Sequence, residues 1–239
     1  ATAEQPVTEK SGDQMTDEKT EPAATPIKDV LTKEKQAALT PDRVLEGLKA
    51  GNQRFVDGEM TNRDLPAQVS KTSSGQYPSA IVLGCVDSRV PPELVFDQGI
   101  GDIFSARVAG NIVNDELLGS IEFATKVVGS KLVVVMGHTS CGAVMGACDN
   151  VELGQVTSLV EEIRPSVEEV TPAEETCSSE NIELVNKIAD HNVERTIAKM
   201  REESDVLTQL EKEGAIKIVG AMYDVSTGKV TFQPSDGGG

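Results

Sequence analysis

The chain has 239 residues, enough for one domain with a sizeable core plus appendages, and a formal net charge of −17. That charge excludes a nucleic-acid partner, because one polyanion repels another, and the longest apolar runs, Ala80–Val86 and Leu132–Met136, fall far short of the roughly 18–20 residues that a membrane-spanning helix needs. With no Trp and only 3% aromatics, the core has to be assembled from Val, Ile, Leu and Ala.

Residues 1–38 are polar, lack aromatics and mix Thr, Glu, Lys, Pro and Ala. Such a composition buries little and predicts a disordered or loosely docked arm. The chain starts at Ala, without Met, a charged n-region or an apolar h-region. If an export signal has been removed, the protein is periplasmic or secreted; if the chain was simply cut, a cytoplasmic location stands. Residues 39–239 are expected to form one α/β domain.

At Thr40-Pro41 a helix start is expected, with Thr as N-cap and Pro in the first turn. Val44, Leu45, Leu48 and Phe55 give that helix one buried face. Ser79–Gly84 reads as a buried strand, Ile103–Val108 as a second and Lys131–Gly137 as a third, with helical spacing over Asp115–Val128 between the last two. Another helix is expected after Cys141, and Glu180–Glu213 is helical by composition. Ala215–Tyr223 and Lys229–Gln233, joined by a turn at Ser226-Thr227-Gly228, complete a set of five strands. Continuous apolar strands alternating with helices predict an α/β fold: a mostly parallel central sheet flanked by helices, with an N-terminal helical arm.

Charge is unevenly placed. Val151–Glu213 holds 16 acidic and 6 basic residues, ten of the seventeen net negative charges, and reads as a solvated helical surface. The middle of the chain is left to carry the chemistry.

Four cysteines in a chain of this length do not suggest a disulfide framework. Cys85 sits in Cys85-Val86-Asp87-Ser88-Arg89 and Cys141 in His138-Thr139-Ser140-Cys141, each at the end of an expected strand, where parallel α/β folds place their sites. Thiolate and imidazole are the ligands zinc prefers, and His-x-x-Cys lets two of them reach one ion as a strand turns into a helix. Three protein ligands leave one position open, the arrangement of a catalytic site. Asp87 either occupies that position or stands beside it. Two residues on in extended chain, Arg89 points to the same side and can pair with Asp87 in bidentate fashion. His191, inside the acidic helical segment, reads as a surface residue, and nothing in the spacing decides whether Cys148 and Cys177 pair.

The stretches CVDSRVPPELVFDQGIGDIFSARVAGN and VVVMGHTSCGAV closely resemble the two signature regions of the β-class carbonic anhydrases, and the resemblance covers roughly Thr40 to Asn150. It implies one Zn2+ per subunit held by Cys85, His138 and Cys141, an Asp87–Arg89 dyad, and reversible hydration of carbon dioxide to bicarbonate by zinc-bound hydroxide. Gln76 matches a glutamine that contacts substrate or product. Phe104 and Phe123 match apolar positions of the CO2 pocket, the second often Tyr in the family. Ala109 stands where Val is common, and Gly142 matches a backbone donor. The resemblance also implies a homodimer or a tetramer built from dimers, with Gln76 and the aromatics facing a neighbour's metal. Some members carry a Trp three residues before the first ligand; here Val82 takes its place, which resembles the open subtype, with water and not Asp87 completing the coordination. Two other readings share these residues: hydrolysis of carbonyl sulfide or carbon disulfide on the same fold, and a non-catalytic zinc or redox sensor, for which Asp87, Arg89 and Gln76 would have no use.

Overall fold

The computed structural model describes residues 25–234. In chain order the elements are α1 (Lys33–Ala37), α2 (Pro41–Asp57), α3 (Leu65–Thr72), β1 (Ala80–Gly84), α4 (Pro92–Val95), β2 (Ile103–Arg107), α5 (Asp115–Glu122), β3 (Leu132–His138), α6 (Gly142–Cys148), α7 (Gln155–Val170), α8 (Ile182–Glu203), α9 (Asp205–Lys212), β4 (Lys217–Tyr223) and β5 (Val230–Phe232). A π-helical stretch, Phe123–Val128, follows α5 directly.

The strands form one sheet in the order β2-β1-β3-β4-β5. The first four are parallel, and only β5 runs antiparallel to its neighbour β4. Every residue of β1 and β3 is buried, as expected for inner strands covered on both faces. Because successive side chains alternate across a strand, each contributes to two cores. Val82, Val134 and Met136 pack with Val44, Leu48, Val95 and Phe96 of α2 and the α4 region. Ile81, Leu83, Val133 and Val135 face Ile121, Val193, Ile197, Met200 and Leu207 of α5, α8 and α9.

Local sequence explains most of the ends. Thr40 caps α2, its hydroxyl accepting from the Arg43 amide at 3.3 Å with Pro41 in the first turn, and Gly58 closes the helix at φ 72°. The expected helix over Glu180–Glu213 is divided: Ser204 is extended between α8 and α9, and its Oγ accepts from the Leu207 amide at 3.1 Å as a new N-cap. Asp115–Val128 changes pitch after Glu122, where the Thr125 hydroxyl donates back to the Ile121 carbonyl at 2.8 Å. Segment 151–213 is not only a solvated surface, since Val160, Ile163 and Ser166 of α7 are buried and α8 spans two cores. His191 does lie on the outer side of α8, 2.8 Å from the Glu169 carboxylate.

Of the expected N-terminal arm, residues 1–24 lie outside the described residues, whereas 25–38 are tied down. Ile27 exchanges backbone hydrogen bonds with Asn62 and Asp64 at 2.8 and 3.0 Å. The buried Gln36 side chain donates to the Pro78 carbonyl at 2.8 Å.

Beneath α2, a buried carboxylate gathers the chain. Asp97, itself in the left-handed region at φ 48°, is fully buried and receives Arg54 at 2.6 Å, the Thr61 hydroxyl at 2.6 Å and the Arg63 guanidinium. Burial alone would raise its pKa, but the hydrogen bonds from Thr61, Arg63 and Arg54 together outweigh it and hold the carboxyl below its usual value. A depressed carboxylate pKa stabilises the fold above the unfolded-state value, about 4, and that stability is lost as pH falls below it and through the lower folded-state value. Asn tolerates the left-handed backbone, so Asp97→Asn removes the charge without adding strain. The variant is expected to lose roughly 3–5 kcal/mol at neutral pH, with a smaller gap from the parent below about pH 4. Urea unfolding at the two pH values measures both; an equal loss at each would show that the charge is not the cause.

Candidate metal centre

The carboxyl ends of β1 and β3 lie side by side, and the sequence places a donor at each. Cys85 follows β1 directly, His138 is the last residue of β3, and Cys141 caps α6 after a turn in which Ser140 is left-handed at φ 53°. The two sulfurs and the imidazole donor atom all lie within 4.8 Å of one another, and all three side chains are buried.

Residues of this kind in this state fit a soft divalent ion. His138 Nδ1 is 2.9 Å from the Thr139 carbonyl, which places the ring proton there and leaves Nε2 as a bare acceptor. Nε2 is buried and has no hydrogen-bond partner among the described residues. An orphaned acceptor facing two thiols is costly unless something fills the space between them. The thiols already interact: the hydrogen bond from Cys141, aided by the Gly110 and Asp87 amides, pulls the Cys85 pKa down, while Cys85 and burial push that of Cys141 up. Two thiolates, one neutral imidazole and tetrahedral reach suit zinc best among the biological divalent ions.

Asp87 and Arg89 stand at the rim. The Arg89 Nε and Nη2 donate to Asp87 Oδ1 and Oδ2 at 3.0 and 2.7 Å, and the Arg89 amide adds a third bond to Oδ1 at 2.9 Å. The backbone bond shows how the pair is made: residues 87–89 form an Asx-type turn, not the extended chain expected from sequence. Arg89 thereby holds Asp87 well below the usual carboxylate range. Its Oδ2 lies 3.9 Å from His138 Nε2, beside the three donors but not among them. Arg107, at the end of β2, secures this turn, donating to the Cys85 carbonyl at 2.8 Å and to the Asp87 carbonyl.

The remaining candidates fall into two groups. Ala109 adjoins Gly110, whose amide points at Cys85 Sγ from 3.4 Å, and Gly142 opens α6 with empty space where a side chain would be. These lie at the metal centre. Gln76, exposed in the loop before β1, and Phe104, paired with Ile81 near the amino end of β2, lie at the other end of the strands. Phe123, half exposed, has its ring centroid 6.5 Å from that of Phe104, the two rings tilted by 59°. Eight residues separate Gln76 from Cys85, the last five of them spanning the length of β1, about 16 Å, so Gln76 and Phe104 lie far from the metal centre of their own chain.

Cys148, at the end of α6, is disulfide-bonded to Cys177, in the loop before α8, 29 residues away. Both ends of the ligand helix are therefore anchored. Closing a loop of that length in the unfolded chain is worth about 3.6 kcal/mol. Replacing both cysteines with serine is expected to cost that much in urea unfolding; a change below about 0.5 kcal/mol would mean that the bridge does not form in solution.

A buried two-thiol, one-imidazole cluster with a clamped carboxylate at the carboxyl edge of a parallel sheet is a set of donors that could hold a metal ion where α/β folds place their sites. The carbonic anhydrase family model matches residues 80–230. A carbonic anhydrase of Mycolicibacterium smegmatis is 37% identical over 195 residues, 81% of this chain and 93% of that protein. Carbonic anhydrase 2 of Mycobacterium tuberculosis is 34% identical over 197 residues, again 81% and 93%. Among solved structures, the β-carbonic anhydrase CafA of Aspergillus fumigatus matches at 25% identity and a TM-score of 0.64, over 80% of this chain and 89% of its own. A structure from a study of two tetrameric β-carbonic anhydrases of Sordaria macrospora shares the fold at 23% identity and a TM-score of 0.61, over 80% and 95%. The chain belongs to the β-class carbonic anhydrases.

Proposed function

We propose that this enzyme catalyses the reversible hydration of carbon dioxide to bicarbonate and a proton, with one zinc ion per subunit held by Cys85, His138 and Cys141. The observation that carries the reading is the bare, buried Nε2 of His138 facing two thiols, with the Arg89-clamped carboxylate of Asp87 3.9 Å away. Zinc bound to these residues supplies a Lewis acid that makes water a usable nucleophile near neutral pH. Asp87 accepts a hydrogen bond from the attacking water and orients its lone pair toward carbon dioxide. Arg89 keeps Asp87 ionised and engages both of its oxygens, so the carboxylate acts as an acceptor and not as a fourth ligand. The Gly142 amide is placed to steady a substrate oxygen, and Ala109 gives the pocket a small wall.

The pocket is completed between two copies of the chain: Gln76, Phe104 and Phe123 of one protomer face the metal centre of the other. Support comes from the distance that separates Gln76 and Phe104 from the centre of their own chain, from the half-exposed Phe123, and from β2, whose outer edge is unpaired among the described residues. The tetrameric state of the Sordaria macrospora proteins points the same way. The Cys148–Cys177 bridge favours a periplasmic or secreted location, because such bonds persist in oxidising compartments. Alkylation of freshly lysed source cells without reductant, followed by mass spectrometry, should leave Cys148 and Cys177 unmodified; their full alkylation would place the protein in a reducing compartment.

Substrate choice is tested by offering carbon dioxide and carbonyl sulfide separately to the zinc-loaded protein. Hydration should exceed sulfide hydrolysis by orders of magnitude in kcat/KM. The reverse ranking would assign the chain to carbonyl sulfide.

A further inference from the structure

Helix α8 lies in the acidic part of the chain and carries no metal ligand, yet two of its amides reach into the ligand loops. Asn186 accepts from the Ser140 amide at 2.8 Å, inside the turn that separates His138 from Cys141. Asn192 is 3% exposed and donates from Nδ2 to the Gly110 carbonyl at 2.9 Å. Its Oδ1 accepts in turn from the Ser166 hydroxyl of α7 at 3.2 Å, and Ser166 is fully buried. Gly110 donates its own amide to Cys85 Sγ at 3.4 Å. The result is a continuous buried chain, Ser166 to Asn192 to Gly110 to Cys85, that spans two helices and a loop.

Gly110 has little freedom to aim its amide by itself. It is left-handed at φ 71°, and a Cβ there would meet Ile163 of α7 at 2.6 Å, so only glycine fits. A glycine is also the residue whose peptide planes turn most easily. Fixing its carbonyl fixes the following peptide plane, and through the tight turn it restrains the preceding amide that faces the sulfur. A buried asparagine with all its partners in place is a rigid means of doing so.

We infer that Asn192, positioned by Ser166, is a positioning residue for the metal centre: it aims the Gly110 amide at the Cys85 thiolate and thereby sets the charge on that sulfur and its hold on the metal. A hydrogen bond to a ligating thiolate lowers the energy of its donor orbitals, and partners of this kind typically change metal affinity ten- to a hundredfold. The inference rests on the ligand set under the proposed function. A chain that binds neither zinc nor cobalt through Cys85 would refute that reading, whereas a chain that binds both and ignores Asn192 would refute this one.

The test is chelator competition for zinc, together with the near-ultraviolet thiolate-to-metal charge-transfer band of the cobalt-substituted protein, on Asn192→Leu, Ser166→Ala and Asn52→Leu. Asn52 is a matched control: it is 4% exposed and donates to the Val95 and Gly228 carbonyls at 3.1 and 2.9 Å, with no link to the ligands. All three variants should melt at lower temperature. Asn192→Leu should also weaken zinc binding about ten- to a hundredfold and move the charge-transfer band to longer wavelength. Ser166→Ala should shift both in the same direction by less, and Asn52→Leu should shift neither. The inference is overturned if Asn192→Leu behaves as Asn52→Leu does. Should Asn192→Leu fail to fold, Ser166→Ala decides: an unmoved band with unchanged affinity overturns the inference.

Discussion

Asp87→Asn is expected to bind zinc as the parent does and to lose on the order of a hundredfold or more in kcat. The carboxylate makes no contact that the metal needs, because its Oδ2 stands 3.9 Å from His138 Nε2, outside the set of three donors. What it offers is two acceptor oxygens, Oδ1 accepting two hydrogen bonds from Arg89 through Nε and the amide, and Oδ2 shared between Nη2 and the pocket. An amide keeps only one acceptor. If the oxygen stays against Arg89 Nε, an NH2 group meets the Nη2 donor and also faces the attacking water with the wrong polarity. Zinc content by atomic absorption and initial rates by stopped flow separate the two consequences. A variant within threefold of the parent rate at full zinc occupancy would remove Asp87 from the mechanism.

Cys85→Ala should instead lose the metal. Of the three donors, Cys85 is the one whose pKa is drawn down toward the thiolate, by the hydrogen bond from Cys141 and by the Gly110 and Asp87 amides. Removing it leaves a neutral imidazole and a thiol whose pKa burial and Cys85 had pushed up, with no adjacent anion to attract a cation. The purified variant is expected to contain below about a tenth of the parent's zinc, since binding free energy at such sites rests on the full donor set, and its residual rate should track that fraction. Full zinc content in Cys85→Ala would move the ligand set elsewhere. The contrast between the variants is diagnostic: metal without rate for Asp87, and neither metal nor rate for Cys85.

The parts of this molecule readable from sequence share a physical cause. β1 and β3 are continuous apolar runs because both their faces are covered, and that signal is local and strong. The ligands stand out because Cys85, His138 and Cys141 sit at the carboxyl ends of those strands, where the chain must leave the sheet. Thr40-Pro41 announces α2 for an equally local reason. The acidic stretch misleads because a helix needs only a narrow apolar stripe to be half buried. Val160 and Ile163 are few among glutamates, and the buried polar residues Ser166 and Asn192 look in sequence like solvated ones. Their role depends on α7 and α8 meeting the Gly110 loop, a contact 82 residues apart in the chain for Asn192. The Cys148–Cys177 bond is hidden in the same way, since it joins the far end of α6 to a loop beyond α7. Arg89 pairs with Asp87 as anticipated, but through a turn stabilised by its own backbone amide, which alternation along an extended chain does not anticipate.

The placement of Gln76, Phe104 and Phe123 has a different origin. Their register at the amino end of the sheet follows from strand direction, which is clear from sequence, but their use requires a second chain. The central claim, that the Cys85–His138–Cys141 centre drives carbon dioxide hydration, is most directly tested by titrating metal-free protein with zinc while stopped-flow hydration of carbon dioxide is recorded. The rate should be near background without zinc, rise in proportion to added metal and reach its plateau at one zinc per chain. A rate that is independent of zinc, or one that stays at background after full loading, would contradict it.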